Sequence, residues 1–455
     1  MVQLDVRLPD GAGRDCLPDA ANPRSRGPLA RREVLSPVQR PRFFYGWVVL
    51  AAGFTTILVG YAMRNTFSVF YPVIVSDFGW TRGSTAVMYS LTLLSYGLFA
   101  PIAGGLADRF KPKYVLATGG LIVGGGIALC SVATTLWHFY LIYGVMVAIG
   151  TSLIGITPLI SVLSHWFGSK RGGMVFGVLG AGFGVSLVSA PLYQWLISGH
   201  GWPTAYVIIG LCATAIIVPV SLFLMRRSPQ QQSLIDRKAS CEADESRTET
   251  ATPEPHQWTV REALRTRSYK VFLLIGFCNM GFAQQVTIAH QVYFLQDVGH
   301  DPMVAASMFG VYGIAFAAGN LSSPLSDRFG RAPFFIAGCL VAAGSILLLN
   351  IAPRPGSALV PLLFAVCAGW GLGVSPPTCF AALADRFHGR NYGSIHGTMI
   401  LFISLGGATG PWLGGQLHDM TGSYHSAFIL VQVFLLAAAA LILFATHPSA
   451  MSKSR

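Results

Sequence analysis

Arg64 lies in an apolar stretch that continues past it through Val75. A cation at the centre of a membrane helix costs roughly 2.5–3.5 kcal/mol even on insertion scales, so a chain that keeps one has a use for it. At helical spacing, Tyr61, Arg64, Asn65 and Ser68 fall at i, i+3, i+4 and i+7 and make one polar face. A guanidinium is matched best by a carboxylate. The competing reading is an arginine that snorkels to the outer interface, and the apolar sequence beyond it favours the site reading.

The triplet Asp-Arg-Phe points to a second kind of chemistry. Asp108-Arg109-Phe110 closes one apolar stretch, and Asp327-Arg328-Phe329 closes another at an offset of about 220 residues. Asp77-Phe78-Gly79-Trp80 and Asp297-Val298-Gly299-His300 repeat that offset, as do His165-Trp166-Phe167 and Asp385-Arg386-Phe387. A constant offset at three loops means two copies of one unit. In both copies the acid sits at a membrane edge, where a helix N-terminus or a basic side chain can meet it. Gly105, Asp108, Arg109, Asp327, Arg328 and Arg331 are therefore candidates for a conformational switch, with interfacial anchoring as the plainer alternative.

The same offset carries Arg64 to the neighbourhood of Gln284, where Gln284, Thr287 and Gln291 form a second polar stripe with His290 beside it. His290 either binds substrate and carries a proton or is a hydrogen-bonded structural histidine. His396 falls a few residues into an apolar stretch and is expected near the cytoplasmic mouth. Asn320 and Tyr143 are weaker binding candidates. No Asp or Glu stands at the middle of an apolar stretch. That removes the usual carboxylate proton carrier and the usual counter-charge for a cationic ligand. One embedded arginine suits a monoanion better than a dianion.

The elements that must position these groups are membrane helices. The chain is 53% hydrophobic and 11% charged, against about 25% charged in soluble domains. Twelve apolar runs of spanning length are expected, near 46–75, 84–107, 114–134, 137–163, 173–197, 203–225, 271–296, 303–326, 332–351, 358–384, 392–418 and 424–446. They are numbered spans 1 to 12 below. The expected organisation is a disordered tail (1–42), a six-helix bundle (43–227), a cytoplasmic linker (228–269), a second six-helix bundle (270–447) and a short tail (448–455). Within the linker, Trp258 to Leu264 is either a short amphipathic helix or, as slightly preferred, plain linker.

Of the basic residues, all but Arg64, Arg82 and Arg354 fall on the side of the tails and linker, which places both termini in the cytoplasm. The net charge of +12 is thus a topology signal, and its spread over many loops argues against nucleic-acid binding. The eight cysteines show no paired spacing and read as small core residues, with no metal site. No Walker, Rossmann or triad motif is present, so no cofactor or catalysis is expected.

Two parallel six-span halves, each with Asp-Arg-Phe after its second span, resemble the major facilitator superfamily. Finer features resemble its monocarboxylate-porter and oxalate/formate-antiporter branches: Tyr45-Gly46-Trp47 opening span 1, the run from Trp166-Phe167 through Lys170-Arg171 to Gly177, Gly180, Gly182 and Gly184, and Gly406 to Gly415 around Pro411 in span 11. The resemblance implies a basic residue in this part of span 1 after a pair like Tyr61-Ala62, and a histidine at this point of span 7 in bacterial members. Two departures stand out. Monocarboxylate porters have an acid and an arginine four residues apart in span 8, where this chain has Phe316 and Asn320. Oxalate exchangers have basic residues mid-span in spans 8 and 11, where this chain has none.

The function expected is secondary active transport of a small organic monocarboxylate by alternating access, with Arg64 on the carboxylate and Asn65, Tyr61, Gln284 and His290 orienting the rest. The alternative is an exporter of hydrophobic compounds; a non-transporting sensor or a membrane enzyme has less support. The expected partners are an organic anion, the lipid bilayer and protons if transport is coupled to them, with the monomer as the working unit. The resemblance and the topology signal imply a multi-pass protein of the plasma membrane, in particular a bacterial cytoplasmic membrane.

Overall fold

The computed structural model describes residues 44–167, 172–225, 258–351, 357–387 and 392–446. The two tails and most of the linker lie outside these residues. So do a few side chains inside helices, among them those of Asp108 and His165.

The described residues are helical almost throughout. The twelve long helices are Gly46–Phe78, Arg82–Arg109, Pro112–Val132, 136–167, 172–200, Trp202–Leu224, Arg267–Asp297, Pro302–Ser322, Arg331–Ile351, Leu359–Phe387, Tyr392–Thr421 and His425–Thr446. Ten of them are long and apolar enough to cross a membrane, and the other two are the Gly-rich spans 5 and 11. Lipid offers no partner to a free peptide group, so a helix is the element that satisfies its own backbone there. Span 12 shows the outward face: Val433, Leu436, Leu443 and Phe444 are exposed while Val431, Leu435, Ala438 and Ile442 are buried.

Helix ends follow local chemistry. Span 1 stops at Gly79, which takes φ +65°, and span 2 starts at Thr81, whose side chain accepts from the Ser84 amide. Span 8 starts on Asp301, which caps the Met303 amide, with Pro302 in the first turn. The stretch preferred above as plain linker contains a helix, Val260–Arg265. Thr259 and Glu262 form a reciprocal capping box there, and the Trp258 ring packs edge-on against Phe387. A capping pair and one aromatic anchor suffice for a two-turn helix that polar composition alone did not suggest.

Two seams join the first six helices to the last six. Span 2 lies along span 11, and span 5 lies along span 8. Both seams rely on small residues that let backbones touch. A Cβ on Gly184 would stand 2.7 Å from the Gly313 carbonyl oxygen, and one on Gly415 would stand 2.8 Å from the Arg82 carbonyl oxygen.

Candidate functional site

Arg64 is 4% exposed and lines a cavity of about 150 Å3 between the two halves. Span 1 breaks just after it. The Thr66 hydroxyl bonds back to the Met63 carbonyl at 2.8 Å, and the Tyr143 hydroxyl donates to the Arg64 carbonyl while accepting from the Phe67 amide at 3.1 Å. Tyr143 comes from a π-helical stretch of span 4, Tyr140–Val147. It holds the backbone of the break and leaves the Arg64 side chain to the cavity.

The guanidinium is bounded by rings. Its carbon lies 4.5 Å from the Tyr61 ring centre, 5.6 Å from Tyr96 and 5.5 Å from Phe183. The Tyr61 and Tyr96 hydroxyls meet at 3.1 Å. Each desolvated cation–ring contact contributes about 2 kcal/mol, which offsets part of the cost of taking a cation out of water but supplies no carboxylate to pair with it. No carboxylate lines the cavity, and Arg64 Nε has no hydrogen-bond partner among the described residues. The site therefore carries an unmatched positive charge with a free donor.

Among the other candidates, Tyr61, Gln284, Asn320 and His396 line the same cavity. Gln284 Oε1 is buried without a partner, and the Asn320 amide donates to the Phe316 carbonyl at 3.2 Å. His396 packs on Phe380 with ring centres 4.5 Å apart. Asn65, Tyr143 and His290 are off the cavity wall. Asn65 donates to Ser186 Oγ at 3.2 Å, across from span 1 to span 5. His290 bonds through Nε2 to the Pro411 carbonyl at 2.8 Å and through Nδ1 to the Tyr424 hydroxyl at 3.3 Å. Lining residues not anticipated from sequence include Tyr96, Phe183, Gln285, Phe316, Phe380 and Ser404.

The cavity has unlike ends. Toward Asp327 and Arg331 it continues into a cleft of about 600 Å3, which shares Asn320, Pro377 and Phe380 with it. Arg331 there binds Asp327 at 2.5 Å, Asp385 at 3.1 Å and Ser326 at 2.7 Å. Arg328 and Arg109 are exposed, as is Gly105, where a Cβ would meet nothing. At the other end Arg82 of span 2 forks onto the Asp297 carboxylate of span 7, and its guanidinium stacks 3.7 Å from the Tyr293 ring centre. The Asp419 carboxylate of span 11 accepts the Arg82 and Gly83 amides at 3.0 and 2.7 Å, so one half caps a helix of the other. Tyr71 donates to the Arg82 carbonyl at 2.7 Å, and Ser68 donates to the Ile288 carbonyl at 2.6 Å.

Two six-helix halves packed along two seams make a fold seen elsewhere. A bacterial homologue of the human lysosomal transporter Spinster, in an inward-facing and occupied conformation, aligns with a TM-score of 0.68 and 18% identity, covering 88% of this chain and 97% of that one. The sequence profile of the Major Facilitator Superfamily matches residues 52–324 and 287–455. The chain belongs to the Major Facilitator Superfamily. This Major Facilitator Superfamily protein is 26% identical over 408 residues to monocarboxylate transporter 13 of Rattus norvegicus, covering 89% of each chain. It is 27% identical to the MFS transporter asaE of Aspergillus flavus, covering 97% of each, and 25% identical to human monocarboxylate transporter 2, covering 88% of this chain and 85% of that one. The transporter is a multi-pass membrane protein and not an enzyme.

Proposed function

We propose that the protein is a secondary active transporter of a small organic monocarboxylate, working by alternating access. The observation that carries this is Arg64, 4% exposed, facing a cavity without an acid. A carboxylate entering there neutralises the charge and takes the free Nε donor in the planar geometry a guanidinium favours. Gln284, Asn320, His396 and the Tyr61 hydroxyl are within the same wall to orient the remainder. The names of the relatives support the same substrate class.

With Lys and Arg marking the cytoplasmic side, the end at Asp327 and Arg331 faces the cytoplasm and the Arg82 end faces outward. The arrangement is then an inward-open state. Transport requires the Arg82 cluster to part while the Asp-Arg motifs draw the cytoplasmic end together. The two tested halves of this reading are binding and turnover. Arg64→Gln, expressed at normal level, should bring carboxylate uptake to background, and uptake by that variant at the normal rate would sink the assignment.

An exporter of hydrophobic compounds is favoured by one observation, the apolar majority of the cavity wall, made by Phe, Ile, Leu, Met and Pro side chains together. Pockets for drug-sized ligands run to roughly 300–1,000 Å3, a range that the cavity reaches only together with the cleft it joins. Melting-temperature shifts separate the two: monocarboxylates alone support the importer or exchanger, and neutral hydrophobic drugs alone support the exporter.

A further inference from the structure

The cavity wall combines polar side chains with a larger number of apolar and aromatic ones. Arg64 Nε and Gln284 Oε1 are the two buried wall atoms that lack partners among the described residues and belong to side chains at least nine-tenths buried. They are complementary, one a donor and the other an acceptor. The same wall carries Phe183 and Phe316, with ring centres 5.2 Å apart and planes at 60°, and Phe380. Met280, Ile400 and Ile403 are among the other apolar residues of the wall, which also carries Gln285, Asn320, His396 and Ser404. A short polar acid such as acetate or lactate would satisfy the arginine and leave these rings against trapped water. A ligand with a ring would replace that water by apolar contact and by edge-to-face packing.

We propose that the ligand held on Arg64 is an aromatic monocarboxylate of about benzoate size that also carries a hydrogen-bond donor for Gln284. A hydroxybenzoate has this chemistry. The proposal rests on the monocarboxylate reading above. The carboxylate lies on Arg64 inside the Tyr61, Tyr96 and Phe183 rings, the ring body packs against Phe183, Phe316 and Phe380, and the hydroxyl donates to Gln284. The cavity of about 150 Å3 is large enough for a single ring. A second carboxylate would meet no second cation there.

The test uses the purified full-length protein and measures thermal stabilisation and displacement by acetate, lactate, cyclohexanecarboxylate, benzoate, 3- and 4-hydroxybenzoate, phthalate and neutral benzyl alcohol. Benzoate should act at a concentration at least about tenfold below acetate or lactate, as expected from burying one more ring. One hydroxybenzoate should act at a lower concentration still. In Gln284→Leu the advantage of hydroxybenzoate over benzoate should vanish, and a ligand-free melt close to that of the parent shows that the variant is folded. Phe183→Leu with Phe380→Leu should narrow the gap between benzoate and acetate. If acetate or lactate matches benzoate, or cyclohexanecarboxylate matches it, the aromatic proposal is overturned and the monocarboxylate reading stands. If no carboxylate binds and the neutral compound does, the monocarboxylate reading itself falls.

Discussion

At the Arg82 end, spans 1, 2, 7, 11 and 12 converge on one guanidinium and its carboxylate partners, and nearly every bond crosses between halves. At the end carrying Asp327 and Arg331, the ion pairs described stay within the second half, joining spans 8, 9 and 10. The first end is a clasp between two bodies; the second, among the described residues, stiffens one body. The difference shows where the free energy of closure resides. Charge-assisted bonds at a half-buried seam are worth more than the same bonds in open solvent, and here the seam they close is the Arg82 one.

Four changes break or sharpen that contrast, beginning with the group both ends serve. Arg64→Gln should lower carboxylate affinity by about 30-fold or more, since losing one member of a buried charged pair costs roughly 2–5 kcal/mol; isothermal titration, or uptake at substrate well below saturation, would detect it. Gly415→Val should come next. Its Cβ falls 2.8 Å from backbone, which cannot swing aside as a side chain can. A cysteine placed at Ser68 should then react with a membrane-impermeant thiol reagent far faster than in the parent. Arg82→Gln should loosen the same end by about 1–2 kcal/mol, given the half-buried bonds lost. The reagent should reach the Ser68 cysteine roughly five- to thirtyfold faster, and the Asp297→Asn change added to it should have little further effect. Asp327→Asn should matter least for the state described here, because its carboxylate is 63% exposed. Its stability should stay within about 1 kcal/mol in a thermal melt, so a slower turnover in that variant would locate its role in the opposite state.

The twelve-helix plan was legible because hydropathy over about 20 residues is a strong signal, and the duplication because loops at a fixed offset kept their residue types. Arg64 and Gln284 could be paired by that offset, and they share one cavity. His290 was grouped with Gln284, yet six residues along a helix is about 9 Å of rise. That distance carries the ring out of the cavity to Pro411 and Tyr424. Tyr96, Phe183 and Phe380 gave no signal at all, and Phe316 stood out only as a departure from the porters' charged pair. An aromatic residue in an apolar span reads alike whether it faces lipid, a neighbour or a cavity, and only the pairing of spans 5 and 8 brings Phe183 to Phe316. Asn65 and Ser68 share the polar face of Arg64, but the close packing of span 1 on spans 5 and 7 consumes their bonding capacity in joining helices.

Span 7 is π-helical over Gly276–Ala283 and returns to α-helix at Gln284. A π turn holds one more residue than an α turn, so the segment acts as an insertion within an otherwise regular helix. Removing one residue there would rotate everything after it by about 100° relative to what precedes it. Gln284 would leave the wall without any change of residue type in the cavity. Relatives that lack the extra residue would align with a single-position gap in span 7 and present a different side chain to their cargo. Selectivity in such a fold can therefore change through length as well as through substitution.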